Sequence, residues 1–280
     1  MTGRMLTVAE SDPSGSAGIQ ADIKTVLALG GYATTAISCV LVQNAQGIVG
    51  SCPMEPEFIA EQMRAVLSDI GTDGFKIGYL PSAAAINAVA DVLDEIQDKE
   101  FPVVVDPSIV ARDGSILADA EAIAAWKRRL YIRTTVLTPN LREAEILTGL
   151  NIRDIDDMRH AADMMRTLGV ESVVLKAGQA VSDKVLYFIA DDDGELVYER
   201  PMLSTRNTLG AGCTLSAAIA ISLAQGMRIH AAVERGLDFM HQAILHAPEF
   251  GGSSGPMNHA FDIEKNSSFF HPEAIKIHKV

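Results

Sequence analysis

The chain has 280 residues, and 48% of them are apolar, enough to bury a sizeable core. Its net charge of −13 argues against nucleic acid as a partner, because a phosphate polymer would be repelled. The best apolar stretch, 215–223, is far too short to span a membrane, and no signal-peptide core precedes Glu10 and Asp12.

Cys39, Cys52 and Cys213 are widely spaced and read as reduced thiols of a cytoplasmic protein, neither a disulfide framework nor a zinc site. In chain order, residues 5–9 predict a strand. Ser14-Gly15-Ser16 then leads into a helix with apolar Ile19, Ile23, Val26 and Leu27, stopped by Gly30-Gly31. Residues 32–40 are small and β-branched, hence a strand. Pro56 opens a helix striped by Ile59, Met63, Val66, Leu67 and Ile70. A strand at 75–80 precedes a helix capped by Ser82, with Ile86, Val89, Leu93 and Ile96 on one face. Residues 103–105 read as a strand buried on both sides, ending in Asp106-Pro107. Strands at 134–138 and 172–176 follow. Residues 185–190 and 196–199 form an antiparallel pair around Asp192-Asp193-Gly194. Two long helices, 210–225 and 231–246, close the pattern.

This alternation predicts a three-layer α/β/α fold with a mostly parallel central sheet. We expect one domain over 1–260 and an extension over 261–280, in which Phe269 and Phe270 dock on the body or on a second subunit. Ligands of such sheets bind outside the carboxyl ends of the strands. Glu10-Ser11-Asp12, Gln43-Asn44, Asp106, residues 140–143 and Lys176 all fall just after predicted strands.

Thr208-Leu209-Gly210-Ala211-Gly212-Cys213 opens an apolar helix. Small residues there allow close approach of a ligand, and the first-turn N–H groups form an anion hole. The same residues equally suit a plain glycine loop before a buried helix. Cys213 at a helix N-terminus has its thiol pKa lowered, as a base would require, or is a small filler. Asn140 and Glu143 share one helix face; they suit the waters around Mg²⁺ and equally suit an N-cap with its first-turn acid. Lys176 is a phosphate contact or a surface lysine, and Asp106 a metal-water ligand or a turn residue. The loop from Asp12 to Gly18 bounds a substrate pocket or is a tight turn. No chemistry is assigned to His259.

Taken together, SDPSGSAGIQADIKT (11–25), QNAQG (43–47), KIGYL (76–80), VVDP (104–107), TPNLREAEIL (138–147), VLKAG (174–178), STRNTLGAGCTLSAA (204–218) and GPMNH (255–259) resemble the hydroxymethylpyrimidine/phosphomethylpyrimidine kinases of thiamine synthesis. Those kinases have a ribokinase-like fold and are relatives of the pyridoxal kinases. The resemblance implies ATP and Mg²⁺ as cofactors, a pyrimidine or pyridine alcohol as substrate, and a homodimer. It implies an anion hole at Gly210, Ala211, Gly212 and Cys213. Lys176, Asn140, Glu143 and Thr208 would contact the ATP phosphates, with Asp106 and Glu143 near the metal. Glu10, Asp12, Gln43, Tyr79 and Ser108 would line the substrate site.

The chain departs from the family's pattern at several of these positions. Glu10 replaces a usual glycine, Tyr79 a methionine, Ser108 a valine, Leu209 a histidine and Ala177 a glycine. Ala111 stands where some pyridoxal kinases carry a second cysteine, which tilts the reading toward a pyrimidine substrate. The changes at Glu10, Tyr79 and Ser108 make the ring pocket more polar and more acidic. A buried Glu10 must find a partner. That partner is an amino group or protonated ring nitrogen of the substrate, or else a protein cation. A loop at 110–115, with Arg112, Asp113 and Gly114, is expected to act as a lid.

Overall fold

A computed structural model describes residues 2–96, 100–111, 113–179 and 184–262. Among the described residues, nine strands form one sheet. They are β1 (Arg4–Ser11), β2 (Tyr32–Asn44), β3 (Gly47–Pro53), β4 (Gly74–Ile77), β5 (Val103–Val105), β6 (Val136–Leu137), β7 (Ser172–Gln179), β8 (Lys184–Asp191) and β9 (Gly194–Pro201). The spatial order is β3-β2-β1-β4-β5-β6-β7-β8-β9. The run from β2 to β7 is parallel, and β3, β8 and β9 are antiparallel additions at the edges.

Alternate side chains of the parallel strands feed two cores, which is why their sequences are apolar throughout. Met5, Val104, Val136 and Val174 face one layer, made by α1 (Gly18–Ala28), α7 (Ala211–Ala224) and α8 (Ile229–Leu245). Leu6, Val8, Phe75, Ile77, Val105 and Leu175 face the other. That layer holds α2 (Pro56–Asp69), α3 (Ala83–Glu95), α4 (Ala120–Ala125), α5 (Leu141–Thr148) and α6 (Ile155–Thr167). Ser82 caps α3 as expected, its hydroxyl accepting from the Ala85 N–H at 3.2 Å.

Three local expectations change. The strand predicted to stop at Val40 continues to Asn44 and turns back as β3, so Gln43 lies inside a hairpin, at a bulge, rather than beyond a strand end. The apolar stripe of α1 is rotated: Ile23 and Leu27 are exposed, and the inward face carries Ile19, Ala21, Asp22, Thr25 and Val26. Asp22 can point inward because a lysine meets it there. The 110–115 loop is tied at its base, where Val110 pairs with Ile116 and the Ala111 N–H donates to Ser115. Arg112, Phe269 and Phe270 lie outside the described residues.

Candidate active site

The carboxyl ends of β1, β4, β5, β6 and β7 lie side by side, and α7 packs its first turns across β1, β4 and β5. Gly210 is the N-cap of α7, with φ +86, a conformation that favours glycine. A Cβ there would overlap the Ser16 carbonyl, so the loop before α7 and the loop before α1 lie backbone to backbone. Of the three N–H groups expected to form the anion hole, the Ala211 N–H already donates to Thr208 at 3.2 Å. Gly212 and Cys213 remain as candidate donors, since their N–H groups have no carbonyl acceptor among the described residues.

These free donors face a charged pair. Lys176 Nζ sits 3.0 Å from Asp106 Oδ1, both groups largely buried. A Cβ on Gly212 would lie 3.2 Å from Lys176 Nζ and 3.1 Å from Asp106 Oδ2, so only glycine leaves room between helix and pair. Burial works against the Lys176 charge, but Asp106 and Glu143 outweigh it and hold the ammonium pKa above its ordinary value. Helix N–H groups and an ammonium thus converge on one point, a suitable cradle for a transferring phosphoryl group.

Glu143 and Asn140 do form the capping box. Asn140 Oδ1 accepts from the Glu143 N–H at 2.8 Å, and Glu143 Oε2 accepts from the Asn140 N–H at 2.9 Å. Glu143 Oε1 accepts from the Ile109 N–H at 3.2 Å. That bond fixes the turn after β5, where Ser108 has φ +48, the only positive φ outside glycine among the described residues. Both Glu143 oxygens are therefore already engaged. Among the described residues no group of three or more acidic, histidine or cysteine side chains is placed to hold a metal ion. The donor set does not fit a resident metal. It fits Mg²⁺ arriving on nucleotide phosphates and keeping its waters, with Asp106 Oδ2 and Glu143 on the outer side.

The lowered Cys213 thiol pKa expected from the helix N-terminus is overturned. Burial pushes the thiol well up, Glu10, Asp22 and Asp106 add to this, and Lys76 only partly opposes it. That direction favours the reading of Cys213 as a small buried filler over the reading as a base. The Asp12 carboxylate is buried and accepts from the N–H groups of Ser14, Ser16 and Ala17 and from the Ser14 hydroxyl, so it shapes its own loop as the tight-turn alternative requires.

Gln43 and Tyr79 are half-buried, and the Tyr79 carbonyl accepts from the Ser38 hydroxyl at 2.6 Å. His259 is buried, with Nε2 2.8 Å from the Thr214 hydroxyl, and burial lowers its pKa to about 4, so it serves packing.

The sequence reading assigned no role to Lys76 and Asp22. Both are fully buried beneath the start of α7, 3.0 Å apart, and the Thr7 hydroxyl donates to Asp22 Oδ2 at 2.5 Å. Burial pushes the Asp22 carboxyl up and works against the Lys76 ammonium. The direct contact and the Thr7 hydroxyl oppose that rise at Asp22, and the neighbouring carboxylates hold the Lys76 ammonium pKa above its ordinary value. A lysine inside an otherwise apolar strand was the available signal, since such a charge requires a partner.

Glu10 is 7% exposed, and burial pushes its carboxyl from 4.5 to about 7 against the pull of Lys76. The folded protein therefore keeps this proton up to about pH 7, whereas the unfolded chain releases it near 4.5. The stability carried by the neutral acid is complete below pH 4.5 and is lost as pH rises through 7. Glu10→Gln should consequently gain on the parent by about 3 kcal/mol between pH 4 and pH 8. Urea melts at several pH values give the difference directly; a gap that does not vary with pH would contradict it.

Four similarities accord with this geometry. The sequence profile of the family described as phosphomethylpyrimidine kinase matches residues 12–258. The hydroxymethylpyrimidine/phosphomethylpyrimidine kinase of Bacillus subtilis is 36% identical over 265 residues, covering 94% of this chain and 97% of that protein. The thiamine biosynthesis bifunctional protein ThiED of Geobacter sulfurreducens is 40% identical over 262 residues, and the chain spans about half (53%) of its length. The ADP complex of Bacillus subtilis pyridoxal kinase superposes with a TM-score of 0.84 at 32% identity, covering 93% of this chain and 98% of that one.

Proposed function

Since the chain belongs to the phosphomethylpyrimidine kinase family, we propose that it transfers the γ-phosphoryl group of ATP to the hydroxymethyl group of 4-amino-5-hydroxymethyl-2-methylpyrimidine, and to the resulting monophosphate, in thiamine biosynthesis. The observation that carries this reading is the convergence of the free Gly212 and Cys213 N–H groups with Lys176 at one point beyond the strand ends. The acceptor oxygen forms a bond to the γ-phosphorus while the bond from phosphorus to the bridging oxygen breaks and ADP leaves. In a loose transition state the hydroxyl keeps its proton until late, so a protonated Cys213 is no obstacle. Negative charge on the moving group meets Lys176 and the end of α7. Mg²⁺ bound to the nucleotide supplies further neutralisation there, with Asp106 and Glu143 as the nearest carboxylates.

Asn140 and Thr208 complete the phosphate side of this reading. Gln43, Tyr79, Ser108 and Glu10 line the acceptor side, with Asp12 holding the loop between them. The kinase is one domain over 1–260. We place it in the cytoplasm as a homodimer: Val40, Val42, Ile48 and Val49 leave an exposed apolar edge on the β2–β3 hairpin, which a second copy covers. Among the described residues no helix is long and apolar enough to cross a membrane. The likeness to a pyridoxal kinase favours a second reading, in which B6 vitamers are the acceptor alcohols and the machinery is unchanged.

ADP production with Mg·ATP against the pyrimidine alcohol, its monophosphate, pyridoxine, pyridoxal and pyridoxamine tests both. We expect kcat/KM for the pyrimidine alcohol to exceed that for every B6 vitamer by about tenfold or more. Turnover of B6 vitamers alone selects the second reading. Turnover of none would make the chain a ligand-binding protein on a kinase scaffold.

A further inference from the structure

Two carboxylates buried around the strand ends keep an oxygen with no hydrogen-bond partner among the described residues, Asp22 Oδ1 and Glu10 Oε2, and the Asp22 group is otherwise held by Lys76 and Thr7. Asp12 is held by its own loop, Asp106 by Lys176, and Glu143 by Ile109 and Asn140. Glu10 Oε2 is buried and has no hydrogen-bond partner among the described residues, and the carboxyl is bonded only by the backbone of Glu10 itself. Lys76 acts on Glu10 through its charge, but the Lys76 ammonium is already bonded to Asp22. A buried acceptor left unpaired in a native site points to a missing donor.

The location says what that donor belongs to. A register shift between Ala9 and Glu10 interrupts the β1–β2 ladder just where Glu10 enters the site. Its side chain lies over Gly18 at the start of α1: Cγ and Cδ are 3.1 Å from where a Cβ on that glycine would stand. A side chain at residue 18 would therefore displace it. The charge of Glu10 is felt by Cys39 on β2 and Tyr79 after β4, on the acceptor side. Cys213, at the anion hole, feels it as well. Glu10 thus stands between the acceptor and the phosphoryl cradle.

We propose that Glu10 determines acceptor specificity: its free oxygen accepts a hydrogen bond from an N–H on the ring of the acceptor alcohol, and its charge disfavours an acceptor that already carries a phosphate. The inference rests on the kinase reading of this site and deepens it. A ring bearing an amino group or a protonated nitrogen satisfies Oε2 and relieves the cost of burying it. A phosphate on the same acceptor places a second negative charge in a site shielded from water, where repulsion is strong. The enzyme should therefore favour the free alcohol over the monophosphate.

The test is calorimetric binding of the pyrimidine alcohol and of its monophosphate to the full chain at pH 8, with turnover measured on the same preparations. The parent should bind the alcohol about tenfold or more tighter than the monophosphate. Glu10→Gln keeps an acceptor and the shape but removes the charge. It should hold the alcohol nearly as well and bind the monophosphate about tenfold tighter than the parent does. Glu10→Gly should show the same gain for the monophosphate and lose about tenfold for the alcohol. If the ratio of the two dissociation constants is the same in parent and both variants, the inference is overturned, and turnover of the alcohol would leave the kinase reading standing. If the ratio shifts as expected while no acceptor is turned over, the role of Glu10 holds and the kinase reading fails.

Discussion

Lys176→Ala should lower kcat by on the order of 10³ while the chain stays folded. The ammonium is the side-chain cation beside the N-terminus of α7, and in the proposed reaction the moving phosphoryl group passes between them. Charge that develops only in the transition state loses its counter-charge, so kcat falls more than the apparent affinity for ATP. Asp106, 3% exposed, loses its hydrogen-bond partner at the same time. It should draw in water, at a cost of about 1–3 kcal/mol, which a domain of this size can survive. ADP release under saturating acceptor, alongside the far-ultraviolet circular dichroism spectrum, decides the matter. A folded variant within fivefold of the parent would remove Lys176 from the reaction.

The second large effect concerns stability. Lys76→Met takes away the only cation bonded to Asp22 among the described residues and leaves a fully buried carboxylate with just the Thr7 hydroxyl. Breaking one side of such a pair costs about 3–5 kcal/mol. Adding Asp22→Asn to the Met variant should recover most of that loss, because a neutral amide no longer demands a counter-charge. Urea midpoints of the parent, both single variants and the double variant form a cycle. Additive losses, with no recovery in the double variant, would mean that the two side chains do not depend on each other.

The sheet, its parallel centre and the helix behind Gly210 were legible in the sequence because they rest on local pattern: apolar runs, glycine stops and a capping serine. The strand-end residues were legible for the same reason. What escaped depends on partners far apart in the chain. Asp22 looked wrong for an inward helix position until Lys76 was placed against it. β3 was missed because none of its seven residues is buried, so no alternation marks it. The Cys213 thiol was read from its place at a helix end, and depth of burial outweighs that dipole. Asn140 and Glu143 were readable as a cap or as phosphate-site residues. The capping box is formed, and it holds Glu143 beside Lys176 and Asp106.

The contact between Gly210 and the Ser16 carbonyl has a consequence for inheritance. Two loops distant in the gene share one surface with no room for a methyl group, so neither can be exchanged between relatives without the other. Drift in the acceptor loop is filtered by the phosphate loop it touches. Changes in substrate choice are thereby channelled to side chains such as Glu10 and Tyr79, which can vary while the two backbones stay in register.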